Sequence, residues 1–120
     1  AALEAAYTCE DWLEQCIAYL EGNQKYFADF MRKNLPEFEL TRPECMFVSW
    51  VNCEHMNLGR QELDDFFEQD AQIGPRHGYA FGIGGEGYMR FNIACRRALL
   101  EEALHRFKNA YDLWCSTSRR

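Results

Sequence analysis

From Cys9 to Met31 the apolar side chains keep one spacing. Cys9, Trp12, Leu13, Cys16, Ile17, Leu20, Phe27, Phe30 and Met31 recur at the repeat of an α-helix with one apolar face. Thr8 followed by Asp11 matches the Ser/Thr-x-x-Asp/Glu start signal. Pro36 forbids continuation. The pattern therefore predicts one helix over 8–33, with Gly22 as its weak point. At ~1.5 Å per residue such a rod is roughly 40 Å long. In a chain of 120 residues a helix of that length covers one face of a sheet or reaches across to a second body.

The remaining segments supply the sheet. Cys45–Val51 reads CMFVSWV, apolar at alternate and intervening positions, as expected of a strand buried on both faces. Tyr88–Ile93 reads YMRFNI, a second strand. Phe38–Thr41 and Ala71–Ile73 are shorter strand candidates, and Pro43 marks the turn after the first. A second helix is predicted over Arg60–Gln69, with Leu63, Phe66 and Phe67 as its stripe. The last helix runs over Arg96–Trp114, with Leu99, Leu100, Ala103, Leu104, Phe107, Tyr111 and Trp114 toward the core. The tail Cys115–Arg120 is expected to fray. No linker or repeat divides these elements. They define one α+β domain, a two-layer sandwich in which a small mixed or antiparallel sheet is covered by the long N-terminal helix and the C-terminal helix. Trp50 and Trp114 are expected in its core.

Charge and cysteine usage narrow the functions. Lys plus Arg number 13 against 19 Asp plus Glu, a net charge of −6, which opposes a nucleic-acid partner. No apolar run reaches membrane-spanning length, and Ala1–Glu10 lacks the order of a signal peptide. The six cysteines (Cys9, Cys16, Cys45, Cys53, Cys95 and Cys115) include no C-x-x-C pair, so no metal site is expected. They read as free thiols used as small apolar residues in a cytoplasmic protein. Lys25, Lys33 and Lys108 sit on helical patterns with polar neighbours and read as solvated. His55, His77 and His105 are scattered, and Cys53-Glu54-His55 is a poor nucleophile pair because adjacent residues at a strand end point apart.

Between Gly74 and Gly87 the chain is rich in glycine, and Gly82, Gly84 and Gly87 match G-x-G-x-x-G letter for letter. The dinucleotide fingerprint needs a helix N-terminus after the loop. Here the loop opens into a strand and carries Glu86, which repels phosphate. The glycines read instead as a connection that needs positive φ, or one that lies close against a ligand or another domain. In the strand that follows, Met89, Phe91 and Ile93 alternate with Tyr88, Arg90 and Asn92. The apolar set should meet the helices, leaving Arg90 on the opposite face. A guanidinium there holds a carboxylate with two parallel hydrogen bonds or makes an ordinary salt bridge; alternation alone favours the salt bridge.

Taken in order, PECMFVSWV, NLGRQELDDFFEQDAQI and FGIGGEGYMRFNIACRRALLEEALHRF resemble the C-terminal small domain of fold-type I pyridoxal-phosphate (PLP) enzymes. The match is to the cystathionine β-lyase (C–S lyase) branch, close to the class I–II aminotransferases. EDWLEQCIAYLEGN is similar to the family's helix leading from the large domain into the small one. The family often has Pro after the Ala-Cys pair, where Arg96 stands here; the loss of a first-turn Pro costs little. The resemblance implies that residues 1–7 end the connection from a large domain and that 8–120 are the small domain. The parent enzyme would act on amino acids such as cystathionine, with PLP bound to its large domain and a homodimeric assembly. Arg90 would bind the substrate α-carboxylate, with Phe81, Gly82 and Tyr79 near the mouth of the site. No catalytic residue and no covalent PLP attachment is expected in this segment. The competing reading is a stand-alone α+β interaction module without catalysis, which a start codon near Ala1 would favour.

Mixing this chain with PLP and reducing with borohydride should therefore give no stoichiometric adduct at any one lysine by mass spectrometry. A single fully labelled lysine would overturn the reading of Lys25, Lys33 and Lys108 as solvated.

Overall fold

A computed structural model describes residues 1–41 and 43–118. Helix α1 (Ala2–Ala6) is followed by a break and then by α2 (Glu10–Asn34), of 25 residues. The expected cap at Thr8 is not used. The Thr8 hydroxyl instead donates to the Ala5 carbonyl at 2.9 Å, and Cys9 occupies the N-cap without a side-chain bond to α2, its thiol donating to the same Ala5 carbonyl at 3.1 Å. Gly22 does not weaken the helix, which runs through it. A Cβ there would stand 3.3 Å from the Arg97 guanidinium, so the glycine makes room for a neighbour.

The sheet is four-stranded and antiparallel throughout, with order β1-β2-β4-β3. Its strands are β1 (Leu40–Thr41), β2 (Val48–Asn52), β3 (Arg76–His77) and β4 (Tyr88–Asn92). Cys45 and Met46 precede β2 in an exposed bend, with Met46 at positive φ. No strand forms over 71–73. Ala71 is buried after a π-turn (Phe66–Asp70) that continues α3 (Arg60–Asp65). A 3₁₀ turn, Gly78–Phe81, follows β3 directly. Helix α4 extends from Arg97 to Ser118, so 115–118 continue the helix where fraying was expected; Arg119 and Arg120 lie outside the described residues.

Both long helices lie on one face of the sheet, as the two-layer reading requires. Ser49 and Val51 of β2, with Met89 and Phe91 of β4, turn toward Phe27 and Met31 of α2 and Leu104 and Phe107 of α4. Phe107 is the hub: Phe38, Phe67 and Phe91 have ring centroids 4.9, 5.0 and 5.9 Å from it. Leu99, expected in this core, is exposed on the outer side of α4. Trp114 is half-buried and stacks on Tyr111. The expectation that β2 is buried on both faces also fails. Val48 and Trp50 point to the other side and are only half covered, so Trp50 is no part of the helix-side core.

One buried polar group ties the layers together. Asn23, with 0% of its surface exposed, donates through Nδ2 to the carbonyls of Ile93 and Cys95, each at 2.9 Å. Its Oδ1 accepts from Arg97 Nε at 2.9 Å. The amide thus joins mid-α2 to the end of β4 and the start of α4. Beyond it toward the N-terminus, α2 leaves the core. Trp12 is 68% exposed and Leu13 52%, and the molecule measures 60 × 30 × 23 Å.

Phe107→Ala removes the ring against which the other aromatics pack. It should lower unfolding free energy by roughly 3–5 kcal/mol, measured by urea titration; a loss below ~1 kcal/mol would show that the aromatic cluster rearranges around the gap.

Candidate functional site

Strand alternation places Arg90 on the face of β4 turned away from α2 and α4, as the sequence predicts, because Met89 on the other side is 1% exposed and packed into the core. The register gives Arg90 two cross-strand neighbours, Trp50 of β2 and Arg76 of β3. Residues directly opposite in antiparallel strands share a face, so all three lie on this outer surface.

The glycine-rich loop then folds back over it. Gly78 makes the return possible: a Cβ there would run into the carbonyl oxygens of Gly85 and Tyr88. At Gly82 the backbone has φ 123°, which side-chain-bearing residues rarely adopt. The fold-back sets the Phe81 ring against the Arg90 guanidinium, with Cζ 4.1 Å from the ring centroid. Trp50 meets Phe81 edge-on, centroids 5.5 Å apart. A cleft of about 330 Å³ opens between loop and sheet, lined in part by Trp50, Phe81, Gly82, Ile83 and Tyr88.

The electrostatics of Arg90 are unusual for a sheet arginine. Its Nε is buried and has no hydrogen-bond partner among the described residues, and among them no carboxylate forms an ion pair with it. A ring stacked on a guanidinium engages its face and leaves the in-plane N–H edge free. A buried N–H without an acceptor costs free energy, about 1–3 kcal/mol, that a ligand oxygen recovers. The site thus offers an oriented, unneutralised fork.

The far side of the loop is pinned separately. Arg60 at the start of α3 pairs with Glu86 and lies over the Tyr79 ring, Cζ to centroid 4.5 Å. Tyr79 in turn packs on buried His77, centroids 4.5 Å apart; among the described residues neither His77 ring nitrogen has a partner. The Arg60 hydrogen bond, followed by burial opposing it and the Arg60 charge, holds the Glu86 carboxyl below its usual range. The pair therefore acts above the ordinary carboxylate pKa and is lost as pH falls through the lowered one. Both groups are exposed, so the contribution is small.

Of the residues singled out in the sequence, Arg90, Phe81 and Gly82 come together, whereas Tyr79 faces the Arg60 side. Trp50 and Arg76 were not anticipated. Alternation across CMFVSWV would turn Ser49, not Trp50, outward, so Trp50, like Arg76, is placed only by pairing. Cys53 and His55 do not form a nucleophile pair. The Cys53 thiol is buried 3.7 Å from the Val51 carbonyl, and burial pushes its pKa up to about 12. His55 Nε2 lies 3.2 Å from the Tyr111 hydroxyl, and burial lowers its pKa against the opposing charge of Glu37. Among the described residues no group of His, Cys, Asp and Glu is placed to hold a metal ion, and no helix is long and apolar enough to cross a membrane.

Arg90 thus stands on the outer face of a central strand, with the Phe81 ring of the glycine-rich loop against it and both long helices behind the sheet. Cystathionine β-lyase PatB of Bacillus subtilis is 32% identical over 91% of this chain, which spans 28% of that relative. Cystalysin from Treponema denticola, whose structure contains pyridoxal 5′-phosphate, superposes with TM-score 0.83 at 30% identity, covering 88% of this chain and 27% of its own. The PLP-bound C–S lyase from Staphylococcus hominis gives TM-score 0.81 at 32% identity, covering 88% and 29%. No family model matches the chain. The chain belongs to the family of PLP-dependent cystathionine β-lyases and aminotransferases, as a C-terminal domain of such an enzyme. It spans less than a third of the length of these relatives.

Gly78→Ala should disorder the fold-back. Stability should fall by about 1–3 kcal/mol, the range for overpacking a close contact, and the ring-current shift of the Arg90 Nε proton should vanish from the NMR spectrum. Retention of that shift would show that the loop accommodates a Cβ.

Proposed function

We propose that this domain holds the substrate α-carboxylate in a PLP-dependent enzyme acting on amino acids, a C–S β-lyase or aminotransferase of the kind that takes cystathionine. The observation that carries the reading is Arg90 itself: outward-facing, its Nε buried and without a partner among the described residues, with Phe81 against its face. An amino acid always presents an α-carboxylate, and a planar fork fixes that group in orientation as well as position. Phe81 and Gly82 belong to the rim of the same site. The aromatic roof excludes water from one side of the guanidinium, which strengthens the charge pair formed there.

The residues present fit a domain that orients substrate without holding the cofactor covalently. Lys25 and Lys33 are exposed on α2, and Lys108 pairs with Asp112; none is desolvated as a Schiff-base lysine is. Bound PLP supplies the electron sink for chemistry at the α-carbon, and its lysine would come from the large domain of the same polypeptide. Exposed Trp12, Leu13, Ile17 and Tyr19 on α2 support a second body of the same chain lying over that helix. A homodimer in the cytoplasm completes the proposal.

Arg90→Ala in the full-length enzyme should reduce kcat/KM for its amino-acid substrate by several tens-fold or more, since charged hydrogen bonds are worth about 1.5–3 kcal/mol each. Arg90→Lys should also be impaired, because an ammonium lacks the planar fork. Unchanged KM and kcat in the alanine variant would remove the assignment.

A further inference from the structure

We propose that Trp50 is a positioning residue of this site, setting the orientation of the Arg90 guanidinium through the Phe81 ring. This inference rests on the reading of Arg90 as the α-carboxylate group and adds the residue that governs how that group is presented.

Trp50 is the Cα partner of Arg90 across the β2–β4 pair, so both side chains leave the outer face of the sheet. The indole meets Phe81 edge-on, with centroids 5.5 Å apart and planes at 86°. Phe81 in turn has the Arg90 Cζ 4.1 Å from its own centroid. Edge-to-face contact is a preferred arrangement of aromatic rings, so the indole and the guanidinium hold Phe81 from two directions. Ser49 and Val51, the neighbours of Trp50 in β2, serve the helix-side core. Trp50, half covered on the opposite face, contributes its area to the loop instead.

The same indole reaches the loop where it leaves the sheet and where it returns. A Cβ on Gly78 would stand 3.0 Å from Trp50 Cζ3, which puts the benzo ring against the backbone at the loop's entry. Tyr88, at the return, has its ring centroid 6.5 Å from the indole, with planes at 71°. Between these points the loop has little else to seat it on the sheet. Gly82, Gly84, Gly85 and Gly87 bring no side chain, Ile83 is fully exposed, and Glu86 is paired with Arg60 on the far side. The seat of Phe81 on Arg90 therefore depends on the indole. A guanidinium freed of that bracket keeps its charge and loses its direction, and small misplacements of a group that holds substrate are costly in rate.

The test is a double-mutant cycle in the full-length PLP enzyme with L-cystathionine, followed by turnover and by the change in PLP absorbance on binding. Trp50→Leu should lower kcat/KM about tenfold, chiefly through KM, and raise the apparent Kd by a similar factor. Trp50→Phe, which keeps a ring edge for Phe81, should recover part of that loss, leaving about threefold. In an Arg90→Ala background the leucine change should alter either constant by less than about twofold, because the group it positions is gone. A tryptophan that merely stabilises the fold gives the opposite result, losses that add in the double variant. Additive losses, or a Trp50→Leu enzyme within about twofold of the parent, overturn the role of Trp50. Where the leucine variant folds too poorly to assay, Trp50→Phe runs the same cycle, and persistence of its loss of about threefold beside Arg90→Ala overturns the role. Failure of the underlying reading is a different result: Arg90→Ala alone leaving KM, kcat and Kd unchanged.

Discussion

The pairing of β2 with β4 is the constraint from which the rest of the molecule follows. Five consecutive register pairs, from Val48 with Asn92 to Asn52 with Tyr88, sort the side chains of both strands into two sets. One set, Ser49, Val51, Met89 and Phe91, forms the floor on which both long helices rest. The other, Val48, Trp50, Arg90 and Asn92, forms the outer surface. A slip of β4 by one residue would exchange its two faces, turning the Arg90 guanidinium toward the helices and Met89 and Phe91 into water. Stability and the position of Arg90 are therefore one property of this sheet. The Ser49 hydroxyl, buried on the floor and bonded to Gln24 at 2.9 Å, shows that the single polar residue in the helix-facing set is satisfied by the helix above it.

On the outer surface the decisive act is the return of the glycine loop. Without it Arg90 would be an ordinary solvated side chain, adaptable and weakly directing. With Phe81 against one face and Trp50 braced on Phe81, the guanidinium is held in one orientation. Two separate clamps hold the loop: close backbone contact of Gly78 with Gly85 at one side, and Arg60 with Glu86 and Tyr79 at the other. The first is steric and insensitive to conditions. The second is ionic and exposed, and it weakens with salt.

Much of this was legible in the residues. YMRFNI predicted β4 to within one residue and the side of the sheet on which Arg90 stands, because period two is unambiguous when apolar and polar residues alternate. The last helix and the α3 stripe of Leu63, Phe66 and Phe67 were equally plain. The failures share a cause: each depends on pairing or burial that a local pattern does not contain. β3 is two residues long and exists through its bonds to β4, so no local pattern marks Arg76, whereas Ala71–Ile73, with its apolar ends, has the pattern of a strand and forms none. In CMFVSWV every residue but Ser49 is apolar, which hid a one-sided strand. Thr8 has the chemistry of a cap but spends its hydroxyl on Ala5. Phe81 and Gly82 were placed near the site through resemblance, and the loop geometry then brought them against Arg90 and the cleft beside it.

The division of α2 at Asn23 has a consequence for how order spreads through the chain. C-terminal to Asn23 the helix is fastened by Phe27, Phe30 and Met31 in the core; N-terminal to it, three turns project with their apolar side chains in solvent. Isolated helical turns are marginal in water, since nucleation is costly and each added residue gains little. Amide hydrogens on either side of Asn23 therefore belong to different protection classes although they share one uninterrupted rod. The projecting turns, with Trp12 and Leu13 exposed, form a graded boundary at the end of the domain. The Asn23 carboxamide and the Tyr19 hydroxyl, which accepts from the Arg97 backbone N–H at 2.8 Å, join this boundary to the residues between β4 and α4.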